Sequence, residues 1–289
     1  MYKKLVVFDF NMDWKHYDRK DERYKDKDLV FSLLKQANEY VTPVIVTSAW
    51  IVDAINFIAN NNINHGYLIA NGGAIIYNIA EQRILQINRM EVDDINALVH
   101  HGLMLNLNIV IYTTKHKYIY VCNQINYQRL ANASYSPYEL IKDYKQLQQV
   151  LELNDIVDVA YVNLFDNKKA NLDNILTKLN NYFASENSNL IFKASEASNF
   201  IHIQNKQSTK LIALQYVMAL FQAENMNDVL YVAATSIDRD SYLHFKNTLV
   251  TSNPDFIYEI RATKKAKYLI DEINNLSPDL GRETNSFWK

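Results

Sequence analysis

Four polar side chains follow apolar segments of the sequence at positions from which they could act on one ligand. Asp9 ends the run KLVVFD, Thr47 lies near the end of PVIVTS, and Asp238 and Asp240 follow DVLYVAAT. In a parallel sheet the C-terminal ends of the strands gather at one edge, so these side chains would converge there. A carboxylate at that edge can attack a phosphoryl group and form an acyl phosphate if a cation offsets the repulsion between the two anions. An aspartate can also end a strand merely because the chain turns into water, and both interpretations of Asp9 stay open at this point.

A lysine could supply part of the positive charge. Lys210 begins the amphipathic segment KLIALQYVMALF, with Ser208 or Thr209 as the predicted helix N-cap, directly before the strand DVLYVAAT. A lysine can neutralise the charge that develops on a transferring phosphoryl group, and the hydroxyl of Thr47 can donate a hydrogen bond to its oxygens. A lysine in the first turn of a helix is usually solvated. Because the helix dipole disfavours it there, a specific anionic partner becomes a reasonable alternative.

The segments that must position these residues alternate between strand and helix at both ends of the chain. Near-continuous apolar runs, typical of strands buried on both faces, occur at KLVVFD, PVIVTS, GYLIA, DVLYVAAT and NTLVTS. Apolar residues at helical spacing predict helices over DLVFSLLKQANEYV (28–41) and WIVDAINFIANN (50–61). The pattern therefore predicts an α/β fold with a Rossmann-like parallel sheet.

The middle of the chain has a different texture. Strand-like segments (LNIVIYTT, KYIYVCNQ, DIVDVAYVNLF, NLIFKAS, NFIHIQ) are interleaved with two helical ones (VDDINALVHHGLML, NLDNILTKLNNYFASE). This mixture predicts an antiparallel sheet backed by helices. We therefore expect a core domain formed by residues 1–83 and 198–289, with an inserted α+β domain over residues 84–197.

Composition excludes several classes of protein. The formal net charge is −2, so no overall field would hold DNA or RNA. No 18-residue apolar run occurs, and the apolar stretch before Asp9 is too short for a signal peptide, so we expect a cytoplasmic protein with no membrane partner. The five glycines are too scattered for a Walker A or a GxGxxG loop, which argues against a nucleotide-cofactor enzyme. The single cysteine, Cys122, is expected to be a buried thiol within a strand.

The order of these segments resembles the haloacid dehalogenase (HAD) superfamily, in particular its Cof-like phosphatases with a large α/β cap. VVFDFNMDW resembles the first motif, a strand ending in DxD, and VIVTSAW resembles the second, a strand ending in Thr-Gly-Arg. IANGGAIIYN resembles the hairpin before the cap, and FIHIQNKQSTKLIALQYV resembles the segment that carries the third-motif lysine. YVAATSIDRDSYL occupies the place of the GDGxND motif.

The resemblance implies roles for individual residues. Asp9 would be the nucleophile and a Mg²⁺ ligand, Lys210 the residue that neutralises charge, and Thr47, together with Ser48, would bind the phosphoryl group. The backbone carbonyl of Asn11 and the carboxylate of Asp238 would complete the metal site, although Asp240 could take the place of Asp238 if the alignment shifted.

Several positions depart from the family pattern. Asn11 stands where the family has the aspartate that protonates the leaving group and then activates water, and an amide can do neither. Losing general acid–base catalysis of this kind typically lowers the rate by a factor of about 10² to 10⁴. Thr235 and Arg239 align with the first and second aspartates of the fourth motif. Ser48 and Ala49 replace the glycine and the arginine of the second motif.

Two hypotheses follow. The first is a Mg²⁺-dependent phosphatase that acts weakly on a small phosphorylated metabolite through an aspartyl-phosphate, with the cap selecting the substrate. The second is a catalytically impaired or inactive relative that binds a phosphorylated ligand or a protein partner. Such a relative could lose the acids and keep the fold, because folding requires the apolar strands and not the acids. The sequence gives no indication of the oligomeric state.

Overall fold

The apolar runs form strands in the computed structural model, which describes residues 4–10, 41–122, 138–153, 155–162, 168–185, 188–195, 200–221, 229–233, 245 and 248–250. The strands are β1 (Lys4–Phe10), β2 (Val41–Thr47), β3 (Tyr67–Ala70), β4 (Ile75–Asn78), β5 (Arg83–Ile87), β6 (Asn108–Thr113), β7 (Lys117–Tyr120), β8 (Glu139–Ile141), β9 (Ile156–Val162), β10 (Leu190–Ser195), β11 (Phe200–Asn205), β12 (Val229–Ala233) and β13 (Thr248–Val250). The helices are α1 (Ile51–Asn60), α2 (Val92–Met104), α3 (Tyr144–Leu151), α4 (Lys168–Ser185) and α5 (Lys210–Leu220).

The described residues fall into two compact units. The first takes its residues from Met1–Ala49, Ala54–Leu85 and Lys210–Lys289, and the second takes them from Trp50–Asp53 and Gln86–Thr209. In chain order, most of the second unit is therefore inserted between two parts of the first. No helix in the described part of the chain is both long and apolar enough to cross a membrane.

The first unit contains a seven-stranded sheet with the order β13-β12-β1-β2-β3-β4-β5. The strands from β13 to β3 are parallel, and β4 then pairs antiparallel with β3. Strand β1 lies in the middle of the parallel part, where side chains on both of its faces are buried, as its continuous apolar run predicts. Leu5 and Val7 share one face and pack in a cluster with Leu214 and Val217 of α5. This packing fixes α5 against the face of β1 on which Asp9 also lies.

The second unit contains a six-stranded sheet with the order β10-β11-β9-β6-β7-β8. Its pairs are antiparallel, except that β7 and β8 are parallel. Helices α2, α3 and α4 cover one face through a cluster that includes Leu98, Leu147 and Leu179. Gly102 lets α2 approach closely, because a Cβ atom there would lie 2.8 Å from the ring of Tyr161. The hydroxyl of Tyr161 also donates a 2.6 Å hydrogen bond to the carbonyl of Leu98.

These observations confirm the predicted fold class, an α/β core sheet with an inserted unit of mixed, mainly antiparallel strands and helices. Two details differ from the predictions. Cys122 lies two residues beyond the end of β7 and is half-buried, so the prediction of a buried thiol within a strand was wrong. The helix predicted over 28–41 lies outside the described residues except for Val41, which instead begins β2.

Candidate functional site

Asp9 is a completely buried carboxylate in the most central strand of the parallel sheet. It lies beside Val46 of β2 on one side and Ala233 of β12 on the other, at the C-terminal end of all three strands. A buried charge requires a partner, and both oxygens of this side chain accept hydrogen bonds. Oδ1 accepts one from Lys210 Nζ at 2.7 Å, and Oδ2 accepts one from the hydroxyl of Tyr231.

Lys210 reaches Asp9 because it is the first residue of α5. A turn brings the chain from β11 into this helix, with the backbone N–H of Ser208 donating to the carbonyl of Asn205 at 2.9 Å. The apolar face of α5 packs on β1, so the N-terminal end of the helix comes to the end of the strand that carries Asp9. Lys210 is 9% exposed, which excludes the alternative of a solvated surface charge. The aspartate offsets the unfavourable position of an ammonium at the positive end of a helix dipole.

Sequence reasoning missed Tyr231, the second partner of Asp9. It lies in β12 beside Val7, two positions before the residue that pairs with Asp9, and it is almost completely buried. Its ring stacks on Phe245, with ring centroids 4.9 Å apart and planes inclined by 12°. One signal was available, since a tyrosine within a buried aliphatic strand must find a partner for its hydroxyl.

Thr47 and Ser48 lie at the same edge of the sheet. Thr47 is buried and pairs in register with Phe10, the residue after Asp9. Its Oγ1 accepts a 3.1 Å hydrogen bond from the backbone N–H of Ala49, and the carbonyl of Ala49 accepts one of 2.8 Å from the N–H of Asn71. The loop after β2 is therefore held to the turn after β3, and the half-buried Ser48 lies within it.

The other predicted site residues, Asn11 and Asp238, lie outside the described residues, as do Arg239 and Asp240. Within the described part of the chain, no group of three or more His, Cys, Asp and Glu side chains could hold a metal ion. Of the predicted ligands, the structure therefore describes only Asp9. One carboxylate fits Mg²⁺, which proteins often hold through one or two carboxylates and waters. Here both oxygens of that carboxylate already accept hydrogen bonds, so a cation must compete with Lys210 or Tyr231.

This arrangement has a specific chemical capacity. The carboxylate of Asp9, the ammonium of Lys210 and the hydroxyls of Thr47 and Ser48 lie at the C-terminal edge of the parallel sheet. Ligands bind at this edge in open α/β folds. The carboxylate can act as a nucleophile, while the ammonium and hydroxyls can donate to an anionic group.

A family model for haloacid dehalogenase-like hydrolases matches residues 21–230, which is more than half of the 289-residue chain. The matched range includes Thr47, Ser48 and Lys210, but it begins after Asp9 and ends before Asp238. The interpretation of Asp9 therefore depends on the geometry described above. No curated protein matches the sequence.

Several solved structures share the fold. A haloacid dehalogenase-like hydrolase from Bacteroides thetaiotaomicron superposes with a TM-score of 0.65 at 12% identity, over 96% of this chain and 100% of that chain. A haloacid dehalogenase-like hydrolase from B. subtilis gives a TM-score of 0.63 at 15% identity, over 87% and 91% of the two chains. A HAD subclass IIB sugar phosphatase gives 0.63 at 9% identity, over 95% and 98%. At these identities the likeness concerns the fold.

Proposed function

This chain belongs to the haloacid dehalogenase-like hydrolases, as its motifs predicted, and from that membership we propose that it is a phosphatase for a small phosphorylated metabolite. The contact between Asp9 and Lys210 carries the proposal, because it joins two ionic side chains 201 positions apart at a distance of 2.7 Å. Replacing a buried ion pair by apolar residues is often neutral or stabilising, so the fold alone gives little reason to keep one. A phosphoryl-transfer site gives a reason for both charges.

In the proposed reaction an oxygen of Asp9 attacks phosphorus, and the bond from phosphorus to the leaving oxygen breaks. The electron pair departs with that oxygen, which must then gain a proton. Water next attacks the aspartyl-phosphate, restores the carboxylate and releases inorganic phosphate. Lys210 would neutralise the charge on the phosphoryl oxygens, and Thr47 and Ser48 would donate hydrogen bonds to them.

Asn11 limits this chemistry, because its amide can neither protonate the leaving oxygen nor activate water. We therefore expect weak turnover, with a preference for leaving groups that depart as stable anions. Mg²⁺, when bound, would reduce the repulsion between the carboxylate and the phosphoryl oxygens. Its proposed ligands are Asp9, the backbone carbonyl of Asn11 and Asp238, with Asp240 as the alternative acid.

We assign substrate selection to residues 84–197, the proposed cap. One of the solved structures that share the fold is described as a sugar phosphatase, which supports a sugar phosphate as the substrate. Half-buried tyrosines of the inserted unit, such as Tyr118, offer part of an aromatic ring of the kind that packs against the ring of a sugar.

A comparison of two substrates tests the proposal. The purified protein with Mg²⁺ should cleave 4-nitrophenyl phosphate faster than a sugar phosphate, because nitrophenolate needs no proton to depart. Asp9→Asn should abolish this turnover, and activity that survived the substitution would come from a contaminant. If the wild-type protein cleaved neither compound, the phosphatase proposal would be wrong.

The second candidate is a protein that binds a phosphorylated ligand without turnover. Asn11 favours it, because the same substitution that removes acid and base catalysis leaves the Asp9–Lys210 pair intact. Binding of inorganic phosphate measured by calorimetry, together with no cleavage of the aryl phosphate, would support this function over the first.

A further inference from the structure

Resting on the proposed function, we propose that Tyr231 controls how tightly Asp9 binds a divalent cation, by occupying the second oxygen of the carboxylate. The observation is the hydrogen bond from the Tyr231 hydroxyl to Oδ2 of Asp9, made while Lys210 occupies Oδ1. Each oxygen of this fully buried carboxylate thus accepts a hydrogen bond from a side chain of the protein. Tyr231 is thus a positioning residue for Asp9.

The surroundings of Tyr231 hold its hydroxyl in place. The side chain is 1% exposed, belongs to the same apolar cluster as Val7 and Val217, and stacks on Phe245. The ring comes from a position two residues deeper in the sheet than Asp9, so the hydroxyl reaches the carboxylate from the core side. Rotating it away would disturb this packing, because interiors are close-packed.

This arrangement has a consequence for cations. A cation that displaces the phenol from Oδ2 breaks this hydrogen bond between buried groups, and that loss opposes binding. If the phenol stays, the oxygen that it shares offers less charge to the cation. With phenylalanine at position 231 the metal-free carboxylate would lack one donor, so a cation would gain more by binding there.

Binding of Mn²⁺ tests the inference, because Mn²⁺ prefers the same oxygen ligands as Mg²⁺ and its unbound form can be counted by electron paramagnetic resonance. In the absence of any substrate, Tyr231→Phe should bind Mn²⁺ about tenfold more tightly than the wild type, the change expected for one buried hydrogen bond to a charged group. Equal or weaker binding by the variant would overturn the proposal, as would a failure of both proteins to bind.

Tyr161→Phe is the matched control, since it also removes the hydroxyl of a fully buried tyrosine, here one that donates to a backbone carbonyl. Its Mn²⁺ affinity should equal that of the wild type, and a tighter affinity would mean that any loss of a buried hydroxyl has this effect. A second measurement needs no variant. Adding Mn²⁺ to the wild-type protein should change the near-ultraviolet absorption of a buried tyrosine, and a spectrum unaltered at saturation would contradict the inference.

The outcome is independent of turnover. Cation affinity is measured without substrate, whereas the phosphatase proposal depends on cleavage of the aryl phosphate. A protein that cleaves the aryl phosphate while Tyr231→Phe leaves its Mn²⁺ affinity unchanged would retain the proposed function and lose this inference.

Discussion

Asp9 and Lys210 form an ion pair that is buried on both sides, with side-chain exposures of 0% and 10%. Because bulk water has little access to either charge, the two side chains stabilise each other directly. The pair therefore links the stability of the first unit to the residues that we propose for catalysis.

Lys210→Met should destabilise the protein and abolish turnover. Methionine keeps the bulk of the side chain but leaves the charge of Asp9 without its cation, and breaking a buried pair in this way costs about 3–5 kcal/mol. Urea unfolding measures the loss. Adding Asp9→Asn should restore part of the stability, because the buried charge itself is then gone.

Lys206→Met is the control for this substitution. Lys206 is exposed and its ammonium donates to the carbonyl of Ser188 at 2.9 Å. Its replacement should change the free energy of unfolding by no more than about 0.5 kcal/mol. A comparable loss in both variants would contradict the special role of the buried pair.

Restoring the missing acids should raise activity. With Asn11→Asp and Arg239→Asp together, a carboxyl group could again donate a proton to the leaving oxygen, and cleavage of a sugar phosphate should rise by about 10² to 10⁴. Cleavage of 4-nitrophenyl phosphate should rise less, since its leaving group needs no proton. Steady-state rates for the two substrates give the comparison. Equal gains for both would show that the change is not general acid catalysis.

The stability of the second unit should fall as the solution becomes mildly acidic. Burial, with a smaller contribution from His100, lowers the pKa of His101 below its usual 6.5. The unfolded chain therefore takes up the proton first, so stability decreases as the pH falls through about 6.5 towards the lower pKa of the folded state. The ring of His101 packs against Tyr182 and Phe183.

Urea unfolding at pH 7.5 and at pH 5.5 measures this effect. His101→Phe keeps an aromatic ring without a titrating group and should reduce the difference between the two values. His100→Gln, at an exposed position of the same helix, should leave most of the difference in place, because burial is the larger cause. If the difference between the two pH values persisted in full in His101→Phe, other groups would be responsible for it.

Gly102→Ala should be destabilising although alanine favours helices. The added methyl group would lie 2.8 Å from the ring of Tyr161 and 3.0 Å from Ile109, both fully buried. Overpacking of this kind costs about 1–3 kcal/mol, against about 1 kcal/mol gained in helix propensity. Asn96→Ala, an exposed position of the same helix, should be neutral or slightly stabilising. Thermal unfolding of both variants gives the comparison, and a stabilised Gly102→Ala would refute the close approach.

The parallel sheet could be predicted from sequence because strands buried on both faces, such as β1, appear as near-continuous apolar runs. Helix α3 and strand β8 could not. The helix has eight residues, of which only Leu147 and Val150 are buried, and the strand has three residues, Glu139–Ile141. Elements this short carry too few side chains to establish a period.

The residues of the functional site likewise include some that the sequence predicts and one that it does not. Asp9 and Lys210 could be proposed because each lies at the end of an element, where topology brings distant residues together. For Tyr231 the sequence indicates only that a buried hydroxyl needs some partner, because the residue lies within a strand at the spacing of a core residue. Its role depends on the register of β12 against β1, a non-local property that a single sequence does not display.

The separation of 201 positions between Asp9 and Lys210 also bears on how the protein is made. Closing so long a loop is costly in chain entropy, and contacts of this kind slow folding. During synthesis Asp9 emerges early, but its cation follows only after the whole of the inserted unit has been translated. Until Lys210 has been made, the ribosome-bound chain cannot form this ion pair, so the native burial of the Asp9 carboxylate in the central strand depends on a residue translated 201 positions later.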